Sequence, residues 1–469
     1  MRAADLFLRL FLHLQYVLWY THNMMVSKKK VMTKKKKISP VLIFFLTLGG
    51  ILLVGLSGLL FLSLQTGKRG VQQAWNTGAD ENGGQDGSGQ DNLEGKDNAE
   101  GKTPLHSLWE MIPEKQAAAE EEEEKEPYAD ILRDPEYMAA NRIYEKKSSE
   151  DGRVTLCFAG DILFDDEYAV MAKLKNRGSA IENGISEALI SEMRAADIMM
   201  INNEFPYTNR GTPTEGKTYT FRADTDTVHY LDDLGVDLVS LANNHCYDFG
   251  ETGLLDTLDT LQQDGIPYAG AGRNLEEAAA PVYFISGGMK IGFLSATQIE
   301  RLDNPDTKGA TEGAAGVFRC WNPEKLLAVT EETRKNCDFL VVYIHWGTEN
   351  VAEADWAQLD QAPKIAQAGA DLIIGDHPHC LQGIQYFGET PVFYSLGNFW
   401  FNSKTLDTCL LKVTLTDSRI ESMTFIPAVQ SGCYTSLAEG EEGQRVISYM
   451  NSLSTGVFIG SDGSINRQK

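Results

Sequence analysis

From Arg153 onward the chain alternates short apolar runs with helical segments, and each run ends on polar residues. This pattern is typical of buried strands separated by helices, which form a largely parallel sheet. The polar ends, in chain order, are Asp161, Glu204, Asn243-Asn244-His245, His345 and the pair His377/His379. Beyond residue 390 the alternating stretch TCLLKVTLTDSRIESMTF predicts antiparallel strands. We therefore predict an α/β domain over residues 151–432 with mixed sheets flanked by helices.

The polar strand ends predict a metal site. Strands of one sheet end at a common edge, so their terminal side chains should face one crevice. Carboxylate oxygens, an amide oxygen and imidazole nitrogens suit a divalent ion such as Mn²⁺, Fe²⁺, Zn²⁺ or Mg²⁺, and one or two ions are expected. Two neighbouring ions can activate water against phosphate esters. Pro378 fixes one backbone dihedral angle between His377 and His379 and so restricts the orientation of both rings. The triplet by itself is also compatible with a hydrogen-bonded turn without a metal.

Charge and cysteine usage exclude several classes of function. The formal net charge is −24, so the protein surface repels phosphate groups and a nucleic acid partner is not expected. The seven cysteines include no CxxC pair and are irregularly spaced. A disulfide framework and a cysteine-based zinc site are therefore both disfavoured.

The N-terminal region predicts a membrane anchor. Residues 39–64 carry no charge and exceed the ~20 residues that span a bilayer. Lysines cluster just before them, so residues 1–38 should be cytoplasmic and the C-terminal domain extracellular. A cleaved signal peptide is the alternative, but the apolar run is long and no A-x-A-like site follows it. Residues 1–23 could form an interfacial helix, or an upstream extension if translation begins at Met24, Met25 or Met32.

Two further segments flank the predicted domain. Residues 65–150 are an acidic, low-complexity stretch that reads as a linker, with a short helix expected within 128–150. Residues 433–469 form a C-terminal tail, in which we expect one helix near 436–453 and a frayed end over 454–469.

Motifs in this order resemble those of the CapA (PGA_cap) family of bacterial capsule synthesis proteins. The matching stretches are GD at 160–161, NNEFPYT at 202–208, SLANNHCYDFG at 240–250, HWG at 345–347 and GDHPHCLQG with PVFYSLGNF over 375–399. The resemblance covers about residues 153–430. It implies a calcineurin-like metallophosphoesterase fold, which is a sandwich of two mixed sheets flanked by helices. It also implies a role in the synthesis or export of poly-γ-glutamate, usually from a membrane-anchored position.

The resemblance also implies roles for individual residues. Asp161 matches the metal ligand of the first strand, and Glu204 stands where a bridging carboxylate is expected. Asn244 matches the amide ligand, and His245 matches the group that meets the attacking or leaving oxygen. His345, His377 and His379 complete the metal site, so the catalytic residues are predicted to be His245 and Asp161. Asn243, Arg222 and Asn398 are predicted to bind substrate.

The sequence departs from the metal-ligand motifs of this fold at two positions, and two hypotheses of function therefore remain. Phosphoesterases of this fold usually carry Asp-x-His on the first strand, whereas Ile162 and Leu163 follow Asp161 here. The second departure is Asp376, which directly precedes His377. It could act as a substitute metal ligand or as a hydrogen-bond partner of a ligand. The first hypothesis is a metal-dependent hydrolase that acts on poly-γ-glutamate or another envelope polymer. The second is a non-enzymatic, polymer-binding component that works with other capsule synthesis proteins.

Several loop residues have two interpretations each. Asp248 could bind substrate, but we favour a cap on the following helix. Arg210, Lys217 and Arg222 could hold an anionic substrate, although exposed solubilising charge is the stronger default. Asn398 either faces the crevice or occupies a left-handed turn.

Overall fold

The computed structural model describes residues 127–299 and 307–468. The predicted transmembrane segment 39–64, the basic N-terminus and most of the predicted linker lie outside this range. Within it, none of the helices combines the length and the hydrophobicity that crossing a bilayer requires.

The described residues alternate between strands and helices. The strands are β1 (Ile143–Glu145), β2 (Arg153–Ile162), β3 (Ile198–Asn203), β4 (Leu238–Ser240), β5 (Tyr268–Ala269), β6 (Ala271–Gly272), β7 (Val282–Ser286), β8 (Met289–Thr297), β9 (Gly316–Val317), β10 (Phe339–His345), β11 (Leu372–Asp376), β12 (Leu381–Phe387), β13 (Thr390–Leu396), β14 (Asn398–Trp400), β15 (Leu406–Thr416), β16 (Arg419–Ser431), β17 (Tyr434–Leu437), β18 (Val457–Ile459) and β19 (Ile465–Arg467). The α-helices are α1 (Ala129–Leu132), α2 (Pro135–Ala140), α3 (Ala169–Asn176), α4 (Glu187–Arg194), α5 (His229–Leu234), α6 (Gly250–Asp264), α7 (Leu275–Ala279), α8 (Glu324–Arg334), α9 (Trp356–Gln367) and α10 (Gly440–Leu453).

Most of the strands belong to two large sheets. The first sheet has the order β1-β7-β8-β10-β11-β13-β12, and the second has the order β17-β16-β15-β2-β3-β4-β5, with β14 beside β2. In the first sheet β8, β10, β11 and β13 are parallel, whereas β7 and β12 are antiparallel to their neighbours β8 and β13. The second sheet joins the parallel strands β2 to β5 to an antiparallel ladder of β15, β16 and β17. These observations confirm the predicted α/β architecture with mixed sheets.

Apolar side chains fill the space between the sheets and the space beneath the helices. Phe158 of β2 and Phe293 of β8 belong to one buried cluster, which joins the facing surfaces of the two sheets. Leu258 of α6 packs on the outer side of the second sheet, and Ile365 of α9 packs on the outer side of the first. Strands β8 and β10 are buried along their whole length, because both faces of their sheet are covered. The result is a sandwich with a helix layer on each side.

Polar strand ends of both sheets come together at one edge of this sandwich. Asp161 pairs in register with Asn202 of β3, and Asn398 of β14 pairs with Asp161 from the other side. In the first sheet His345 pairs with Asp376. Tyr343 Oη donates a hydrogen bond across the sheets to the carbonyl oxygen of Ala159 at 2.9 Å. This bond links β10 to β2 just before their polar ends.

Ordered structure extends on both sides of residues 151–432. Strand β1 pairs in parallel with β7, so residues of the predicted linker join the first sheet. Helix α10 lies inside the range where one helix was expected. The prediction of a frayed end over 454–469 is wrong for the residues described there, because β18 and β19 form an antiparallel hairpin. Its apolar residues Val457 and Ile459 are buried in the core between the sheets.

Substitution of Gly160, which immediately precedes Asp161, tests whether close backbone packing at this edge of the sandwich contributes to stability. A Cβ atom at Gly160 would lie 1.9 Å from the carbonyl oxygen of Gly397, so a backbone shift would be needed to admit it. We expect Gly160→Ala to lower the free energy of unfolding by about 1–3 kcal/mol, as overpacked sites do. Denaturant unfolding of the full-length chain measures this change. Gly313→Ala is the matched control, because a Cβ atom there meets nothing within 4 Å, and equal stabilities for the two variants would contradict the prediction.

Candidate metal centre

Three histidines at this edge share one arrangement, in which Nδ1 lies at hydrogen-bond distance from a buried carboxylate. The pairs are His245 with Asp248 at 2.7 Å, His345 with Asp376 at 2.8 Å and His379 with Asp161 at 2.9 Å. An ionised carboxylate only accepts hydrogen bonds, so Nδ1 of His245 and Nδ1 of His379 carry the proton. The Nε2 atoms of His245 and His379 are therefore left with a lone pair, whereas Nε2 of His345 has Oδ1 of Asn244 at 2.8 Å and Nδ1 of His377 at 3.0 Å. Carboxylates fix metal-binding histidines in this way.

The Nε2 atoms of these three rings surround one oxygen of Glu204. Oε1 of Glu204 lies 3.7 Å from Nε2 of His345, 3.9 Å from Nε2 of His245 and 4.0 Å from Nε2 of His379. These distances are too long for hydrogen bonds. The Oε1 atom is buried and has no hydrogen-bond partner among the residues that the structure describes. Two atoms bound to one ion at ~2.1 Å lie at most ~4.2 Å apart, so the 3.7 Å between Oε1 of Glu204 and Nε2 of His345 fits a shared cation.

The other predicted ligands join the same cluster. Oδ1 of Asn244 lies 2.8 Å from Nε2 of His345, and Nδ1 of His377 lies 3.0 Å from the same nitrogen. Three sets of donor residues lie in the interior of this cluster, and within each set the ligand atoms are at most 4.8 Å apart: Glu204 with His345 and His377, Asp161 with Glu204 and His379, and Asp161 with His345 and Asp376. The structure thus brings all six predicted metal ligands together, from strands of both sheets.

The electrostatics of the cluster favour a bound cation. Burial, together with the nearby charges of Asp161 and Asp376, raises the pKa of Glu204 well above its usual range. Burial and the charge of Asp161 likewise raise the pKa of Asp376. Burial lowers the pKa of His345 to about 3, so this ring is neutral at physiological pH and offers a lone pair. A divalent ion among these groups would offset the repulsion between the carboxylates.

The backbone at the HPH triplet is strained. His377 has a φ angle of 94° and His379 has a φ angle of 57°, which is a region that non-glycine residues rarely adopt. Such residues cost about 1–3 kcal/mol each and cluster at functional sites. The strained backbone places the rings of His377 and His379 at this edge of the sandwich. The His377 ring there lies 4.6 Å from the His345 ring, measured between ring centroids.

The predicted substrate-binding residues occupy three different environments. Asn243 is buried, and it donates to Asn202 and to the Asn203 carbonyl while its Oδ1 accepts from the amides that follow. Oδ1 of Asn398 lies 2.8 Å from Nδ1 of His379, inside the cluster. Arg222 lies over the ring of Phe249 at 4.7 Å, apart from the donor groups. Asn243 thus acts as a support of the site through its hydrogen bonds.

Asn202 is a central residue that the sequence analysis missed. Its Nδ2 donates to Oδ1 of Asp161 at 2.9 Å, and its Oδ1 accepts from Asn243. The residue is fully buried, and it holds the Asp161 carboxylate toward His379. The available signal was its place at the end of an apolar run, two positions before Glu204.

Asp248 and Lys217 correct two predictions. Asp248 is fully buried, and its carboxylate accepts from His245, from the amide of Phe221 at 2.7 Å and from Lys217. It does not cap α6, which lacks a side-chain cap, so the capping interpretation is wrong. The side chain of Lys217 is only 5% exposed and also donates to the carbonyl of Asn244. The solubilising role is therefore wrong for Lys217.

A pair of substitutions in the loop after Glu204 tests the buried pair of Lys217 and Asp248. Lys217→Met leaves a buried carboxylate without its cation, and breaking such a pair typically costs about 3–5 kcal/mol. Arg210→Met removes an exposed cation that pairs with Asp256, for which we expect a loss below about 1 kcal/mol. Denaturant unfolding in the presence of chelator compares the two variants without a contribution from metal. Similar losses would show that the Lys217 pair is not important for stability.

Comparison with known proteins identifies the family. Residues 155–403 match the family model described as "Bacterial capsule synthesis protein PGA_cap". The "PGA biosynthesis protein CapA" of Bacillus subtilis is 30% identical over 276 residues, which cover 57% of this chain and 70% of that protein. The "Capsule biosynthesis protein CapA" of Bacillus anthracis is 27% identical over 300 residues, or 61% of this chain and 70% of that protein.

Among solved structures, TT1561 of Thermus thermophilus aligns over 56% of this chain and 99% of its own, with 10% identity and a TM-score of 0.32. The family match covers more than half of the present chain and spans every residue of the candidate centre. The chain therefore belongs to the PGA_cap family of bacterial capsule synthesis proteins.

Proposed function

We propose that this protein is a membrane-anchored, extracellular hydrolase with a metal-dependent site of the metallophosphoesterase type, which acts in the synthesis or export of poly-γ-glutamate. The observation that carries the proposal is the buried Oε1 atom of Glu204, which has no hydrogen-bond partner in the described part of the chain and lies 3.7–4.0 Å from three imidazole nitrogens. The two-sheet sandwich flanked by helices supports a calcineurin-like fold. The relatives from Bacillus subtilis and Bacillus anthracis support the capsule context.

The residues present fit one or two divalent ions. Asp161, Glu204, Asn244, His345, His377 and His379 would hold them. When bound, Mn²⁺, Fe²⁺, Zn²⁺ or Mg²⁺ would supply Lewis-acid activation of the scissile group and of water. The preference among these ions depends on the mixture of oxygen and nitrogen donors.

His245 is the residue best placed to move a proton. Its Nδ1–H is held by Asp248 at 2.7 Å, so Nε2 can accept a proton or, once protonated, donate one. The His245 side chain is 8% exposed, whereas that of His345 is fully buried. The Phe221 ring lies against His245 at a centroid distance of 4.2 Å, which restricts its rotation. A base held in one orientation at the surface of the site can meet a substrate atom without rearrangement.

The proposed substrate is an anionic envelope polymer, with poly-γ-glutamate first among the possibilities. A chain with a net charge of −24 repels such a polymer. A divalent ion in the site would provide the local positive charge that lets an anionic group approach. Other capsule synthesis proteins are proposed as partners in the same membrane.

A non-enzymatic, polymer-binding role is the second candidate. The observation that favours it is Leu163, which occupies the first-strand position where related phosphoesterases carry a histidine. Leu163 is fully buried among apolar residues. One ligand is therefore absent from its usual place, and a site that holds an ion without turning over a substrate is the alternative explanation.

Replacement of His245 separates the two functions. The full-length chain, purified without chelator, should contain a divalent ion and hydrolyse a generic phosphodiester or poly-γ-glutamate in the presence of Mn²⁺. His245→Gln should keep the ion and lower turnover by about 10²–10⁴-fold, because it removes the proton-transfer group. Elemental analysis measures the ion, and product release measures turnover.

The control is His229→Gln, since His229 is exposed and lies outside the donor groups. It should leave both readouts unchanged. Ion binding without turnover on either substrate would favour the binding role. A wild-type chain that contains no ion and takes up none would exclude both forms of the proposal.

The proposed anchor has its own test. Full-length protein should sediment with membranes, and protease added outside intact cells should cleave the C-terminal domain, because residues 39–64 are uncharged and lysines precede them. Deletion of residues 39–64 should release the protein from the membrane fraction. Membrane association that survives this deletion would contradict the assignment.

A further inference from the structure

Glu349 is a carboxylate that neither the predicted ligands nor the proposed mechanism includes. It is exposed, in the loop between β10 and α9. One of its carboxylate oxygens groups with ring nitrogens of His377 and His379, and these ligand atoms all lie within 4.8 Å of one another. The group stands on the solvent side of the cluster around Glu204, because Glu204 and His345 are fully buried.

The loop that carries Glu349 is fastened to the HPH triplet. The amide of Asn350 donates to the carbonyl oxygen of Pro378 at 2.8 Å, so the residue after Glu349 is tied to the residue between the two histidines. The fully buried Gln382 donates to the carbonyls of Val351 and Glu353 at 2.9 and 3.2 Å. These hydrogen bonds fix the position of the loop relative to the HPH triplet. The approach of Glu349 to the histidines is thus part of the fold.

Each of the two histidines has one ring nitrogen, Nε2, that makes no hydrogen bond to the residues that the structure describes. Nδ1 of His379 lies 2.9 Å from Asp161 and 2.8 Å from Oδ1 of Asn398, so the proton sits on Nδ1 and Nε2 is free. Nδ1 of His377 faces His345 at 3.0 Å, which leaves its other nitrogen unengaged by that contact. Two imidazoles and one carboxylate form a donor set that binds Zn²⁺, Mn²⁺ or Fe²⁺ in other proteins.

We propose that Glu349 is a ligand of a second, outer divalent ion, which it holds together with His377 and His379. The inference rests on the proposed metal centre, whose inner ion lies near Glu204 and His345. Without an ion, the exposed carboxylate of Glu349 would repel an anionic polymer at the entrance of the site. With an ion, the same position presents positive charge to the polymer. The outer ion therefore also forms the contact point for an anionic substrate group.

The number of bound ions tests the proposal. The full-length chain is dialysed against Mn²⁺, and bound metal is measured per chain over a concentration series. We expect two ions in the wild type. Glu349→Gln should bind one ion, or bind the second at least about tenfold more weakly, since it replaces a charged ligand by a neutral one. Glu353→Gln is the matched control, because it removes the same charge from an exposed position of the same loop, and it should keep both ions.

The outcomes separate this inference from the proposed function. If Glu349→Gln binds two ions with affinities within about twofold of the wild type, or if the wild type binds only one, the inference is overturned while the metal-dependent hydrolase stands. If the wild type binds no ion, the proposed function fails and the inference fails with it. Loss of the second ion in Glu349→Gln alone supports the inference, whether or not turnover is detected. An unfolding curve that matches the wild type in chelator shows that the variant is folded.

Discussion

The structure of the site depends on one electrostatic problem, which is the burial of Glu204 beside Asp161 and Asp376. Three carboxylates in a region shielded from water repel one another and lose hydration, so their charge needs a counter-charge or a proton. The buried cation Lys217 is already paired with Asp248. The protein surrounds the three carboxylates with imidazoles instead, and contacts between Nδ1 atoms and carboxylates orient three of these rings so that their Nε2 atoms face Glu204. Lone pairs and carboxylate oxygens that face one point form the environment of a cation.

The two-sheet architecture brings these groups together. Asp161 and Glu204 come from the second sheet, and His345 and His377 come from the first. The Tyr343 hydroxyl, which bonds to a carbonyl of β2 across the interface, keeps the ends of the two sheets at a constant separation. The close backbone contact between Gly160 and Gly397, beside Asp161, also holds the two sheets together at this edge. The loop between β10 and α9 adds the exposed carboxylate of Glu349. The proposed inner and outer ions therefore differ in their exposure to solvent as well as in their ligands.

Sequence patterns predicted the parts of this site that lie at the ends of strands or in the turns directly after them. An apolar run that stops at a polar residue is a local signal, and it identified Asp161, Glu204, Asn244, His345, His377 and His379. The partners of these residues were harder to find, because their positions depend on tertiary packing. Asp248 and Lys217 are 31 residues apart and meet only when a loop folds over His245. Glu349 lies in an exposed loop without periodicity, where a carboxylate looks like any solvated charge.

The distance between the ligands along the chain has a consequence for how the protein acquires its ion. Asp161 and His379 are in contact although 218 positions separate them in the sequence. No early fragment of the chain contains a complete binding pocket, since β2 and the turn after β11 meet only when both sheets have assembled. We therefore expect an ion to enter the proposed centre after folding, in the compartment where folding is completed. The supply of divalent ions in that compartment would then determine which metal the proposed centre takes up.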